Sequence, residues 1–140
     1  MLMTSLGVKD ECAVRIRVKT KTSVSDVFQW NAKKTGQIFL DLLLHGDFCA
    51  LVDIPEESSA PIYYIVPSAI VNGWLLDDFK EWLNTPGAQG QQRSQENTRR
   101  LFYVDERQRP AHGYKLKLHP YQNAWHLLES TSAKAQVASP

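Results

Sequence analysis

Cysteine is scarce: Cys12 and Cys49 are the only two in 140 residues, and they share no C-x-x-C spacing. That rules out a disulfide scaffold and a thiolate zinc site, and it suits a reducing compartment in which both thiols act as small packing residues. Long hydrophobic runs are missing too. The longest, Ile38 to Leu44, is interrupted by Asp41 and falls far short of the roughly 20 residues of a membrane span. Met1 to Val8 has neither the basic start nor the apolar core of a secretory leader, so the expectation is a cytoplasmic protein with no membrane partner. Nor does one sign of charge dominate: 16 Lys and Arg stand against 15 Asp and Glu, for a formal net charge of +1. A basic nucleic-acid tail and an acidic solvating tail are both excluded, and any electrostatic function must be local. What remains is an ordinary globular composition, 43% hydrophobic and 22% charged. At 15.9 kDa such a chain buries roughly two thirds of its unfolded surface as one domain.

Along the chain, residues 12–21 alternate strictly: Val14, Ile16 and Val18 interleave with Arg15, Arg17, Lys19 and Lys21. A period of two is a strand signal, and it predicts an apolar inner face with four cations pointing outward. Val27, Phe28 and Trp30 suggest a short strand, and Ile38, Phe39, Leu42 and Leu43 recur at the spacing of a short buried helix. Phe48 to Ile54 and Ile62 to Val66 read as buried strands. From Ser68, the residues Ile70, Val71, Trp74, Leu75, Phe79, Trp82 and Leu83 describe an amphipathic helix, with Ser68 as its cap and Thr85-Pro86-Gly87 as its stop. Residues 88–97 are polar loop, 99–104 a strand, and 114–118 an extended segment. Pro120 opens a helix with Tyr121, Ala124, Trp125 and Leu128 on one face. The domain is expected over 1–130, with a disordered tail over 131–140.

The cationic row is the most informative feature. Such a face can hold phosphate oxygens, making Arg15, Arg17, Lys19 and Lys21 a candidate polyanion-binding set, or it can be a solvated edge that discourages strand pairing. Four like charges need an answer, and the acids near them in sequence are only Asp10, Glu11 and Asp26. Either acids from elsewhere in the fold or a polyanion must supply it.

Arg15-Ile16-Arg17-Val18-Lys19-Thr20, then a strand ending Val52-Asp53, then Tyr63-Tyr64-Ile65-Val66-Pro67-Ser68 resemble the C-terminal part of small bacterial PD-(D/E)XK nuclease-like proteins. The pieces Trp82 to Gly87, Asn97 to Phe102 and Tyr121 to Leu128 extend the resemblance over residues 13–129. The resemblance implies a truncated restriction-endonuclease-like α+β fold, a central mixed sheet of about four to five strands covered by two or three helices. It also implies metal-assisted phosphodiester hydrolysis, with Lys19 as the catalytic lysine and Mg2+ as cofactor in an active member. Arg17, however, stands where that pattern has Glu or Gln, and a guanidinium cannot ligate a metal. No metal ligands are therefore assigned, and no cofactor is expected.

Other constellations fail. His45, His112, His119 and His126 lack metal-ligand spacing, Gly87 to Gly90 is more simply a helix stop than a backbone clamp, and no nucleophile elbow, P-loop or dinucleotide fingerprint occurs. Three readings stay open. The first is a catalytically incomplete nuclease relative that binds nucleic acid or another polyanion. The second is a protein-interaction or small-ligand module. The third is a metal-dependent nuclease drawing its acids from Asp10, Glu11 or a partner chain. A homodimer is expected, because the upstream element that flanks the lysine strand in that fold is missing here and the strand edge is open.

Overall fold

The computed structural model describes residues 14–56, 59–104 and 114–129. Strand β1 (Arg15–Thr22) is followed by β2 (Val27–Asn31), β3 (Asp47–Ile54), β4 (Ile62–Pro67), helix α1 (Ser68–Asn84), β5 (Arg99–Tyr103) and helix α2 (Tyr114–Leu118). The class is mixed α+β, but the strands do not share one sheet. β1 runs parallel to β3, from Arg15 opposite Asp47 to Thr22 opposite Ile54, and β3 runs antiparallel to β4. This gives a three-stranded mixed sheet in the order β1-β3-β4. β2 and β5 form a separate antiparallel ribbon, from Val27 opposite Tyr103 to Asn31 opposite Arg99.

The sheet is covered on both faces, which explains the unbroken apolar run in β3. Cys49 and Leu51 pack with Val66, Val71, Leu75, Phe28 and Phe102, joining sheet, α1 and ribbon. Phe48, Ala50 and Ile65 point the other way and pack with Ala124, Leu127 and Leu128. Each fully buried Leu or Val on these faces contributes about 1.5–3 kcal/mol relative to exposure. The α1 periodicity does its predicted work: Val71 and Leu75 are buried, and Trp74 stacks on Phe102 with centroids 5.2 Å apart, fixing the helix to the ribbon. The helix stops at Thr85, whose N–H bonds Trp82 O at 3.2 Å and whose Oγ1 donates to Glu81 O at 2.9 Å, just before Pro86.

Four local expectations fail for identifiable reasons. Residues 38–43 are not helical, and only Phe39 is buried, with Leu40, Leu42, Leu43 and Leu44 exposed. Carbonyls a helix would use internally are taken by side chains: Arg17 Nη2 donates to Asp41 O at 2.6 Å, and Gln37 Nε2 to Leu40 O at 2.7 Å. Residues 114–118 are helix rather than extended chain, with Leu118 buried and Leu116 exposed. Five alternating residues are too few to separate the two periods. Pro120 enters a 3-10 turn, His119–Tyr121, and not the first turn of a continuing helix. Gln122 then bridges to Tyr64, and Asn123 adopts a φ of 53° while its N–H bonds Tyr63 O at 2.8 Å, so helical geometry returns only at 126–129. Ser68 makes no capping bond, because its hydroxyl is used inside the core. Cys12, Asp10, Glu11, Met1 to Val8 and 131–140 lie outside the described residues. Among the described residues, no helix is long and apolar enough to cross a membrane.

Candidate functional site

In a parallel pair, residues opposite one another share a face, so the β1 row Arg15, Arg17, Lys19 and Lys21 stands beside Asp47, Cys49, Leu51 and Asp53 of β3. That is the face on which Cys49 and Leu51 join the core. The expected orientation is therefore inverted: the cations are half-buried, while Ile16 and Val18 look outward, Val18 at 66% exposure. The reason is on β3. Asp47 and Asp53 are both buried there, and leaving two buried carboxylates unpaired costs more than exposing two aliphatic side chains.

Asp47, only 4% exposed, is the centre of the arrangement. Its Oδ2 accepts from Arg15 Nε at 2.9 Å, Arg15 Nη2 at 2.7 Å and Arg17 Nη2 at 3.1 Å. Its Oδ1 accepts from Arg17 Nε at 3.1 Å and from the Ser68 hydroxyl at 2.5 Å. Burial alone would push this carboxyl up, but the bonds from Arg17, Ser68 and Arg15 outweigh it and hold its pKa below the ordinary 3.8. The Arg15 guanidinium is raised in turn by its bonds to Asp47 and Asp41. Exposed Asp41 completes the cluster, 3.1 Å from Arg15 Nη1 and 3.8 Å from Arg17 Nη2. Arg17 also lies over the Phe39 ring, 4.9 Å from its centroid.

At the far end of the row, Lys21 Nζ sits 2.6 Å from Asp53 Oδ1, with both side chains under a tenth exposed. The contact is an ion pair without hydrogen-bond alignment, since Nζ also donates to Ser25 O at 3.0 Å and Oδ1 has no aligned donor among the described residues. Asp53 is thus a buried strand residue. Burial, and secondarily the Asp53 charge, raise the neighbouring Tyr64 phenol. Lys19 forms no ion pair among the described residues and lies over the Trp30 ring at 5.4 Å. Cys49 is a packing thiol as expected: buried, 3.4 Å from Ser68 Oγ, and pushed up to about 11 by burial.

The row therefore does not present four free cations, and it does not fit a magnesium ion either. The Asp47 carboxylate is occupied by three donor groups, and among the described residues no group of three or more His, Cys, Asp or Glu side chains could hold a metal. His45, His119 and His126 are exposed.

A second polar region lies between α1 and β5. Phe79 and Trp82 stack at 5.6 Å with planes 19° apart. Arg100 lies over Phe79 at 3.5 Å and Arg93 over Trp82 at 4.8 Å. Together with Arg99, Asn97 and Tyr103 they line a cleft of about 280 Å3. Arg100 is 4% exposed, and burial lowers its pKa. Its Nη1 donates to Asn97 O at 2.6 Å and Arg99 O at 3.1 Å, while its buried Nε has no hydrogen-bond partner among the described residues. Sequence reasoning missed the parts played by Asp47, Ser68 and Arg100. The available signal was indirect: a row of cations that local acids could not answer.

Compared with known proteins, the chain matches no family model, no curated protein and no solved structure.

Proposed function

We propose that this chain is a non-cleaving relative of the PD-(D/E)XK nucleases that binds nucleic acid or another polyanion, with its lysine strand turned from a hydrolytic centre into scaffold. One observation carries the reading: the Arg17 guanidinium, standing where that family's pattern has a metal-binding acid, clamps Asp47 through Nε and Nη2, both at 3.1 Å. A divalent cation at this place would have to displace an arginine from a carboxylate that two further groups also hold. Lys19, over Trp30, then has no metal-bound water to position.

Polyanion contact moves away from the row, where Arg15, Arg17 and Lys21 are paired with carboxylates and Lys19 lies over Trp30. The Asn31–Arg99 end of the ribbon gathers exposed cations instead. The Ala32 N–H bonds Thr98 O at 2.7 Å, which brings Lys33 and Lys34 to the same end as Arg99, all three solvent-facing. Exposed lysines are suited to phosphate contact because their charge is not already spent.

The test incubates the full chain with a labelled single-stranded oligonucleotide and Mg2+ or Mn2+, at two salt concentrations. Binding without cleavage is expected, and Lys33→Ala with Lys34→Ala should flatten the log–log salt dependence by roughly 1 to 2. Metal-dependent cleavage abolished by Lys19→Ala would overturn the reading, and so would an affinity indifferent to both salt and the two lysines. Arg17→Glu alone should not create activity, because one ligand does not make a metal site.

A further inference from the structure

We propose that the cleft between α1 and β5 is a binding site for a phosphate group, gripped by Arg100 from inside and by Arg93 and Arg99 at its rim. The geometry of Arg100 points there. A guanidinium has two hydrogen-bonding edges, and the side-on edge, Nε with Nη2, is the one that holds a carboxylate or phosphate through two parallel bonds. Nη1 is committed to the Asn97 and Arg99 carbonyls. The side-on edge has no hydrogen-bond partner among the described residues, and its Nε is fully buried. Buried arginines are ordinarily paired. In β1 the fold pairs each arginine with a carboxylate, whereas here it gives Arg100 the ring of Phe79 and two backbone oxygens.

The rest of the cleft selects the ligand class. Among the described residues three arginines line it against one acidic side chain, Asp78, so the lining favours an anion of more than one charge. Phe79 and Trp82 each already carry a guanidinium and stack on each other, which argues for recognition through N–H edges and against stacking of a base on a bare ring. A cleft of about 280 Å3 is at the small end for ligand sites, suited to a phosphate or a small phosphate ester and too small for a bulky cofactor. The assignment does not rest on polymer binding at Lys33 and Lys34: a lone phosphate can bind where a nucleic acid does not, and the converse holds equally.

The experiment titrates the full chain with inorganic phosphate and follows the Arg100 Nε–H signal by heteronuclear NMR, with sodium chloride at matched ionic strength as control. A saturable shift under phosphate alone is expected. Arg100→Lys identifies the signal by its loss and, by calorimetry, should weaken phosphate binding about tenfold or more, since a lysine keeps the charge but not the fork. Arg93→Gln is the fallback should Arg100→Lys fail to fold. It lies at the rim and should weaken binding several-fold, roughly three- to fivefold. Adenosine monophosphate in place of inorganic phosphate separates the sources: equal affinity identifies the bare oxyanion as the ligand, and tighter binding a phosphate ester. No saturable shift, an equal shift under sodium chloride, or unchanged affinity in Arg93→Gln would overturn the assignment.

Discussion

The β1 row and the α1/β5 cleft both set arginines against aromatic rings, and they differ in what answers the charge. In the row, Arg15 and Arg17 meet Asp47 directly, and Lys21 meets Asp53. In the cleft, Arg100 meets Phe79 and two backbone carbonyls. A guanidinium bonded to a buried carboxylate is committed to holding strands together, and truncating either partner leaves an uncompensated charge. Arg100, stacked on Phe79, keeps its Nε–Nη2 edge free of hydrogen bonds among the described residues, and so a capacity to bind. Residue type alone does not set the two kinds of arginine apart; a carboxylate bonded to the guanidinium does.

The comparison breaks most sharply at Asp47. Asp47→Ala should cost about 3–5 kcal/mol in chemical denaturation, because Arg15, Arg17 and Ser68 lose their common acceptor. Its folded pKa lies below the unfolded value near 3.8, so the carboxylate's contribution is present above that value and is lost as the pH falls through the folded one. The acid limb of the stability curve should therefore shrink in Asp47→Asn. A variant as stable as wild type would show that the row is ornamental. Next comes the far end of the row: Lys21→Met alone should cost about 3 kcal/mol by stranding Asp53, and Lys21→Met with Asp53→Leu should recover most of it. Equal loss in single and double variants would mean that the pair is not coupled.

The smallest effect sharpens the question of which way β1 faces. Val18→Ala should change stability by no more than about 0.5 kcal/mol, as at any exposed position. A loss of roughly 1.5 kcal/mol or more would return Val18 to a core.

That question marks the limit of what β1 discloses by itself. Alternation of Val14, Ile16 and Val18 with four cations locates a strand and sorts its side chains into two sets, but hydrophobicity does not decide which set turns inward when the neighbouring strand carries buried acids. The positions of β3, β4, α1 and β5 are legible because their signals are local: runs bounded by Pro55 and Pro67, a 3.6-residue period after Ser68, and a polar stretch before Arg99. Asp47 sits 32 residues from Arg15 and looks like an ordinary loop acid until the parallel pairing sets the two side by side. The need for an answering charge was visible in the sequence; its address was set by tertiary register. The division of strands into sheet and ribbon is of the same kind, as is the helix expected at 38–43, which fails because Arg17 and Gln37 side chains take its carbonyls.

The bonds to Asp41 also have a kinetic side. Parallel strands such as β1 and β3 need a long crossover, and that crossover is ordinarily stiffened by a helix. Here its second half is irregular chain fastened to the sheet by Arg15 and Arg17 through the carbonyl and carboxylate of Asp41, whose side chain stands in solvent. Bonds of that sort are within reach of dissolved ions, whereas the Asp47 bonds beneath them are shielded. Ionic strength therefore acts on these bonds before it reaches those of Asp47. High salt should loosen the segment carrying Leu40 to Leu44 while the β1–β3 pairing stays closed, and hydrogen exchange measured at two salt concentrations should show the crossover exchanging ahead of the sheet it connects.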